Sequence, residues 1–286
     1  MIGIGLGNML QAELIKKAEK EPDTYGVFWK NFGAVLKEGL CEAISPKEQI
    51  LEACRFYSTE GDTLVSLNEY IGRMKPGQEH IFYLTGDNIE SLRRSPQLEG
   101  FKKRGVEVLL FADHVDDFWV NVVHMYKEKP FLSVTRSNAE LDKIEGSVAP
   151  EEKRETEKPE MEPLIAVLKK VYGAEVKNVR VTHKLSESAV CLAVEEGAMD
   201  IRLERFLREQ KQLNTTTSKI LEINPEHNVI QYLAGKVKQG ATEEDVVVRD
   251  ISFLLLDQAK IMQGEEVADP SLFSLRMNKF LAKTLA

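Results

Sequence analysis

Three aspartates, Asp113, Asp116 and Asp117, follow an apolar run that has the length and composition of a buried β-strand. In α/β proteins, ligands bind at the edge of the sheet where the strands end. Carboxylates that cluster at such an edge can bind a divalent metal ion, so one hypothesis is a metal-dependent α/β hydrolase or phosphatase. The structural alternative is that Asp113 caps the following helix while Asp116 and Asp117 stabilise its first turn. The pattern alone leaves both interpretations open.

No other group of residues in the sequence has the spacing of a known catalytic motif. The five histidines show no HExxH arrangement, and no serine stands in a nucleophile elbow. The run Gly3 to Gly7 lacks a preceding strand and a lysine at P-loop spacing, so we do not expect it to bind phosphate. We therefore predict no catalytic residue, no metal site and no cofactor in this chain.

Composition limits the class of protein. A chain of 286 residues with 43% hydrophobic and 29% charged residues is large enough for two globular cores. A net charge of -8 argues against general binding to nucleic acid, which needs clustered cations.

The three cysteines lack zinc-site spacing and are typical of reduced thiols. The longest apolar run near the C-terminus is far shorter than the ~20 residues that span a bilayer. We expect a cytoplasmic protein with no membrane contact.

The elements that must position these aspartates are well marked. Ile81 to Leu84 and Val106 to Phe111 have the β-rich composition of buried strands, and helical patterns follow each of them. This order predicts a βαβ unit, which favours a parallel sheet. Helix starts are expected at three places: a capping box at Ser45 to Glu48, another at Ser66 to Glu69, and a cap formed by Asp87 with Glu90.

Two predicted helices carry apolar residues that could belong either to a core or to an exposed surface. A helix is predicted to begin near Asp116 and to run to Tyr126, with apolar side chains on more than one face, so that part of it is exposed. A second helix, from Met199 to Gln210, carries one apolar stripe opposite charged residues. Such a stripe usually packs into the core of its own domain.

The C-terminal segment is apolar on nearly all sides. Glu243 to Gln263 is rich in valine, leucine and isoleucine, and a further amphipathic helix follows Pro270. Two such helices that met their copies across a twofold axis would form a four-helix bundle. An intramolecular helical core explains the pattern equally well.

Five long segments carry a resemblance to a known family. They are FWKNFGAVLKEGL from Phe28, FYSTEGDTLVSLNEYIGRMKPGQ from Phe56, IFYLTGDNIESLRRSPQLEGFKKRGVEVLLFADHVDDFWVN from Ile81, VRVTHKLSESAVCLAVEEGAM from Val179 and ILEINPEHNVI from Ile220. Together they resemble the ninety-kilodalton heat-shock chaperones, in their bacterial form. The resemblance runs from about Leu14 to the C-terminus, whereas the first ten residues fit it poorly.

The resemblance implies an α/β protein, α+β overall. It implies a small αβα subdomain with parallel βαβ units over residues 1–134, a charged linker or helix over 135–163, and an α+β dimerisation domain that ends in a helical bundle over 164–286. The expected function is that of a chaperone fragment: a homodimer that binds unfolded or partly folded clients. ATP and magnesium belong to an N-terminal domain that we do not recognise here, so the chain is not expected to be an ATPase.

Specific residues follow from the resemblance and from the apolar pattern. Family members bind clients through positions that match Asp117, Phe118, Asn121, Met199, Phe206 and Leu207; the apolar pattern adds Trp119 and Leu203. The expected dimer interface consists of Ile251, Leu254, Leu255, Phe273, Met277, Phe280 and Leu281. A passive dimeric scaffold stays open beside the chaperone and the metal-dependent hydrolase.

Overall fold

A computed structural model was analysed for the whole chain. It describes residues 12–136, 138–144, 151–195, 198–213 and 219–284. The chain divides into two compact units, one formed by Met1–Arg94 with Gly105–Glu145 and the other by Ser95–Arg104 with Gly146–Ala286. The domain limits expected from the sequence stay a prediction, and the glycine run at residues 3–7 lies outside the described residues.

The first unit contains a mixed sheet with helices before and between its strands. Its helices are α1 (12–20), α2 (Pro22–Glu38), α3 (Lys47–Ala53), α4 (Leu67–Gly72), α5 (Ile89–Arg93), α7 (Asp116–Trp119) and α8 (Asn138–Lys143). Its strands are β1 (Tyr57–Ser58), β2 (Ile81–Thr85), β3 (Leu109–Phe111), β4 (Met125–Tyr126) and β5 (Lys129–Ser133). A further helix, α6 (Glu99–Arg104), follows α5 in the chain and belongs to the second unit.

The strands of the first unit lie in the order β1-β3-β2-β5-β4. β2 pairs in parallel with β3 and with β5, whereas β1 and β4 pair antiparallel at the two edges. The parallel β2–β3 pair confirms the βαβ unit predicted from the two apolar runs. Because α7 follows β3 directly, this topology places the aspartate cluster at the carboxyl end of a strand next to the centre of the sheet.

Aromatic side chains form much of the core around that strand end. Phe111 lies 5.0 Å from Phe56, 5.1 Å from Tyr83 and 5.3 Å from Trp119, measured between ring centroids. Trp119 has no exposed surface. Such tilted and stacked pairs add to the stabilisation that burial of the rings already provides. The other tryptophan, Trp29 on α2, is also buried in this core.

Only one of the three expected helix caps forms as the sequence predicts. Ser66 accepts a hydrogen bond from the Glu69 amide, and the Glu69 carboxylate accepts one from the Ser66 amide, which confirms that capping box. The box at Ser45 is wrong, because the Ser45 hydroxyl donates to the carbonyl of Glu42 at 3.2 Å and Pro46 precedes the helix without a side-chain cap. α5 is capped by Asn88, whose side chain accepts from Ser91.

The helix expected from Asp116 to Tyr126 is also wrong in length. α7 ends at Trp119, and the chain turns before β4. β4 and β5 are joined by Lys127 and Glu128, which both adopt positive φ angles of 46° and 61°. A two-residue hairpin turn of this kind usually contains glycine or asparagine, so its sequence signal is absent here. The Tyr126 hydroxyl donates to Asn68 at 3.0 Å and holds this edge of the sheet against α4.

The second unit places helices around a three-stranded sheet. Its remaining helices are α9 (Glu151–Tyr172), α10 (Ile201–Glu209), α11 (Asn228–Lys238), α12 (Val246–Met262) and α13 (Pro270–Thr284); its strands are β6 (Asn178–Val181), β7 (Val190–Ala193) and β8 (Ile220–Ile223). β8 is central, parallel to β6 and antiparallel to β7. With helices and mixed sheets in both units, the α/β assignment is confirmed.

The core of the second unit lies between this sheet and the helices α9, α11 and α12. The Tyr172 hydroxyl at the end of α9 donates to the Ser252 carbonyl of α12 at 2.8 Å, in a buried position. Val248, Leu255 and Leu256 of α12 are buried. The N-terminus of α12 is capped by Asp245, whose carboxylate accepts from two backbone amides of the first turn. One side of α12 therefore packs into the core of the second unit.

The Glu99 carboxylate ties the segment 95–104 to a loop of the second unit. It accepts hydrogen bonds from the amides of Ser186, Glu187 and Ser188 at 2.6 to 3.3 Å, and from the Ser188 hydroxyl. Burial raises the pKa of Glu99, but the hydrogen bonds from Ser188, Glu187 and Ser186 outweigh it, so the pKa lies below the ordinary 4.5. The ionised form is thus the one that stabilises the fold.

We predict that Glu99→Gln lowers the stability of the second unit in a pH-dependent way. A carboxylate whose pKa falls on folding stabilises the fold above its unfolded pKa and loses this effect as the pH falls through the folded value. At pH 7 the loss should be about 1 kcal/mol, since Glu99 is half-exposed. Urea unfolding followed by circular dichroism between pH 7 and low pH measures it, with Glu187→Gln on the same loop as control. A variant as stable as the parent at pH 7 would contradict the prediction.

Candidate functional sites

A buried lysine of α2 holds the aspartate cluster of the first unit. The Lys37 ammonium lies 2.7 Å from the Asp113 carboxylate and 2.6 Å from the Asp116 carboxylate. Asp116 also accepts from the indole N–H of Trp119 at 2.6 Å and from the Asp113 amide at 3.1 Å. Lys37 and Asp116 are almost completely buried, with side-chain exposures of 3% and 1%. Asp113 therefore pairs with a lysine, where the sequence suggested a helix cap.

The charge state of Lys37 follows from its two partners. Burial lowers the pKa of this ammonium, but the carboxylates of Asp116 and Asp113 raise it by more, so that the pKa lies above its ordinary value. Lys37 is therefore charged at neutral pH. Removing its charge would leave Asp116 buried without its cation, which is much more costly than losing an exposed ion pair.

This geometry argues against the metal-dependent hydrolase. The Lys37 ammonium occupies the position between two carboxylates that a divalent cation would need. Over the ranges that the structure describes, no group of three or more histidine, cysteine, aspartate or glutamate side chains is arranged to hold a metal ion. Asp113 and Asp116 thus neutralise a lysine, and no further observation favours the hydrolase.

A polar cavity of about 280 Å³ lies beside this cluster, between α2 and the end of β3. Two of its cations already have partners: Lys37 binds Asp113 and Asp116, and Arg55 donates to the backbone carbonyls at the end of α3. Lys30, the third cation of the lining, is exposed.

The segment after β3 presents only part of the surface expected from the sequence. Trp119 has no exposed surface and Asp117 is 3% exposed, so both are core residues in this structure. Phe118 is half-buried and Asn121 is exposed, with its side-chain amide bonded to the Asp117 carbonyl at 2.7 Å. Val122, which was not among the expected site residues, is 44% exposed. Client contact by this segment stays a prediction, and Phe118 and Asn121 are the residues placed to make it.

The helix α10 leaves its apolar stripe half-buried and buries two of its charged side chains. It begins at Ile201, because the Asp200 carboxylate accepts from the Arg202 amide, so Met199 precedes the helix and does not form its first turn. Arg202 and Glu204 are buried. The expected client-binding residues Met199, Leu203, Phe206 and Leu207 are all half-buried. An amphipathic helix that packed only into its own core would bury its apolar stripe more fully and leave Arg202 and Glu204 exposed.

The orientation of α10 is held by polar contacts to the end of α12. The Arg205 guanidinium donates to the carbonyls of Gln263 and Gly264 at 3.1 and 2.6 Å. Lys219, just before β8, forms an ion pair with Glu265 in the same turn. These contacts are made between residues far apart in the sequence, and no local pattern predicted them.

An apolar groove of about 530 Å³ lies between α11, α12 and α13. Its lining consists of Asn228, Val229, Tyr232, Ile251, Leu254, Leu255, Gln258, Ile261, Met262, Phe273, Met277 and Phe280. Six of the seven expected dimer residues lie here; the seventh, Leu281, directly follows Phe280 on α13 and is 54% exposed. Leu255 is only 5% exposed and also belongs to the core of its own unit.

Sequence analysis missed the contribution of α11 to this groove. Val229 and Tyr232, three residues apart, lie on one face of that helix, and Tyr232 is 48% exposed. That spacing is a signal that could have identified them. Ile261 and Met262 at the end of α12 extend the same surface, with exposures of 47% and 42%.

Two of the three cysteines, Cys54 and Cys191, are buried. Burial raises the pKa of the Cys54 thiol to about 12 and that of Cys191 well above its ordinary value, so both are unreactive at neutral pH. Cys41 is exposed, and all three cysteines are free.

Among the helices in the described ranges, none has the length and apolar content needed to cross a membrane.

Comparisons with known proteins agree on one family. The profile of the family described as Hsp90 protein matches residues 10–286. The chaperone protein HtpG of Wolbachia pipientis wMel is 49% identical over 276 residues, which cover 95% of this chain and 43% of that protein. HtpG of Ehrlichia canis (strain Jake) is 48% identical, with 95% and 44% covered. HtpG of Paramagnetospirillum magneticum is 46% identical, with 99% and 46% covered. The chain thus spans less than half the length of these relatives.

We predict that Lys37→Met destabilises the first unit by about 3 kcal/mol or more, because it leaves a buried carboxylate without its cation. Combining Lys37→Met with Asp116→Asn should restore most of that stability, since no buried charge is then unpaired. Both tryptophans, Trp29 and Trp119, belong to the first unit, so urea unfolding followed by tryptophan fluorescence reports on this unit alone. Lys30→Met, on the exposed side of α2, is the control. A double variant as unstable as Lys37→Met would contradict the prediction.

Proposed function

The chain belongs to the Hsp90 protein family, and we propose that it is the dimerising and client-binding part of a molecular chaperone. The observation that carries this proposal is the apolar groove of α11, α12 and α13, which a single protomer leaves open. An exposed apolar surface of this kind usually marks a site of protein association. The identity to HtpG over almost the whole chain supports the same function.

We propose that the groove is filled by a second copy of this chain. α12 packs one side into its own unit through Val248 and Leu256, and turns Ile251 and Leu254 toward the groove. α13 contributes Phe273, Met277 and Phe280. Two copies of α12 and α13 around a twofold axis would make a four-helix bundle, the arrangement by which such faces are commonly buried. Each Å² of apolar surface removed from water contributes about 25 cal/mol.

We propose that unfolded or partly folded proteins bind to two exposed apolar surfaces. The first is the stripe of α10 with Met199 before it; the second is the segment around Phe118 and Asn121 in the first unit. Methionine and other flexible side chains adapt to partners of different shape, which suits clients without a common sequence. The half-buried state of Leu203, Phe206 and Leu207 supports this use of α10.

We propose that ATP and magnesium act in the part of the longer relatives that this chain does not align with. The acidic net charge of -8 supports partners that are proteins and not nucleic acids. The free, largely buried thiols suit the cytoplasm, which we propose as its location.

The competing function is that of a passive dimeric scaffold. It shares the groove of α11 to α13 with the chaperone proposal and differs in predicting no affinity for unfolded proteins. The inverted burial of α10, with Arg202 and Glu204 inside and Phe206 partly outside, favours the chaperone. A test with an unfolded client separates the two functions.

We predict that Met277→Asp converts the dimer to a monomer, because it places a charge in the apolar groove. Light scattering should then give a mass near 32.4 kDa, where the parent gives about twice that value. Asn278→Asp on the exposed side of the same helix is the matched control and should stay dimeric. Leu255 is a poorer position for this test, because it is buried in its own protomer. A parent that is monomeric at high concentration, or a dimeric Met277→Asp variant, would contradict the proposed interface.

We predict that Leu207→Asp weakens suppression of client aggregation without unfolding the second unit. Leu207 is half-buried on α10, so the new carboxylate interrupts the apolar stripe and leaves the core intact. Light scattering of a heat-denatured client, with circular dichroism to check folding, measures the effect. Arg208→Asp puts a carboxylate on the exposed side of the same helix and should suppress aggregation as the parent does. Equal suppression by Leu207→Asp and the parent would contradict the assigned surface.

A further inference from the structure

The first unit uses a buried ion pair where an apolar contact would serve stability as well. A buried pair of charges recovers little net stability, because desolvating the ions offsets most of their attraction. Lys37 nevertheless enters the aromatic core, with its ammonium 5.5 Å from the ring centroid of Phe56. One of its two partners, Asp116, lies 79 positions further along the chain. Such a pair is best explained by the geometry that it imposes.

That geometry concerns one short segment. Lys37 binds Asp113 before α7 and Asp116 at its first position, and Asp116 in turn accepts from the indole of Trp119 at its last position. The Asp113 amide donates to the same Asp116 carboxylate. One lysine thus fixes both ends of a helix of only four residues, which is too short to be stable alone.

The contacts of Lys37 with Asp113 and Asp116 form a clamp at the start of α7. The proposed client-binding residues of the first unit lie next to it in the sequence. Phe118 lies between Asp116 and Trp119 in sequence and is half-buried, whereas Asn121 is exposed and bonds to the carbonyl of Asp117. Because Asp116 and Trp119 are fixed in the core, the direction in which Phe118 points is fixed as well. We propose that Lys37 is a positioning residue for client binding, which holds Phe118 and Asn121 toward the client through Asp113 and Asp116.

This inference rests on the proposed function, because it assumes that clients contact Phe118 and Asn121. It goes beyond that function in assigning a role to a residue that never reaches the surface: Lys37 is 3% exposed. The carboxylates of Asp116 and Asp113 hold the pKa of Lys37 above its ordinary value, so its ammonium is charged at neutral pH.

The test is a double-mutant cycle on client affinity. The neutral pair Lys37→Met with Asp116→Asn removes the clamp without stranding a charge, and Phe118→Ala removes the surface that the clamp is proposed to orient. Affinity is measured by fluorescence anisotropy with labelled, reduced and carboxymethylated α-lactalbumin, a permanently unfolded protein. Tryptophan fluorescence confirms that the first unit is folded, and Lys30→Met is the control on α2. Asp113→Asn, at a carboxylate that is 48% exposed, is a milder second variant if the neutral pair does not fold.

We expect the neutral pair to weaken client binding by about threefold or more in the parent and by clearly less in the Phe118→Ala background, where only Asn121 is left for Lys37 to orient. Its effect should instead add to that of Leu207→Asp, which lies in the other unit. The indole N–H resonance of Trp119 should shift in the neutral pair, because that N–H loses a charged acceptor.

Three results would overturn the inference. An equal loss in the parent and in Phe118→Ala would mean that Lys37 acts through general stability. Unchanged affinity in the neutral pair, with a loss in Phe118→Ala, would refute the role of Lys37 and leave the proposed function intact. Unchanged affinity in Phe118→Ala would refute client contact by this segment, and the inference with it, while leaving the α10 surface and the dimer to their own tests.

Discussion

The cost of removing a charge from water shapes the local structure of both units. In the first, Lys37 is buried only because two carboxylates surround it, and their positions determine the path of the chain after β3. In the second, Glu222 of the central strand β8 has no exposed surface and is bound by Arg180 of β6 at 2.6 Å. The thiol of Cys191 on β7 points at the same carboxylate from the other side. Each buried charge thus fixes elements on both sides of it.

The inward placement of charges has a counterpart in the outward placement of apolar side chains. α10 buries Arg202 and Glu204 and leaves Phe206 and Leu207 partly in solvent. α12 likewise has more apolar surface than its own unit covers, and α11 and α13 add to the excess. Polar anchors such as Arg205 hold these helices in place, so the apolar surface can be presented without being used for folding. Apolar surface that folding leaves uncovered in this way usually marks a site of protein association.

Sequence patterns predicted the elements whose signals are local. The apolar runs that became β2 and β3, and the capping box at Ser66, depend on residues within a few positions of one another. The contact of Lys37 with Asp116 spans 79 positions and has no local signal, so the aspartates were interpreted as caps or metal ligands. The hairpin turn at Lys127 lacks glycine, and for that reason the predicted helix ran too far.

The candidate surfaces were predicted unevenly for a similar reason. An apolar residue in sequence can be core or surface, and only the fold distinguishes Trp119, which is buried, from Phe118, which is partly exposed. The groove residues of α12 and α13 were predictable because these helices are apolar on too many sides for one small unit to cover. Tyr232 of α11 was missed because its only signal is the three-residue spacing from Val229, which is short and weak beside the apolar runs of α12 and α13.

The segment 95–104 gives the chain an unusual connectivity. It lies in sequence between β2 and β3 of the first unit but belongs to the second unit. The polypeptide therefore passes from one unit to the other three times. A single protease cut near residue 145 would therefore leave two pieces still interleaved. A gene fragment that ended there would encode Leu98 and Phe101, both buried in the whole chain, without the partners that cover them. Experiments that divide this protein should keep residues 95–104 together with the rest of the second unit.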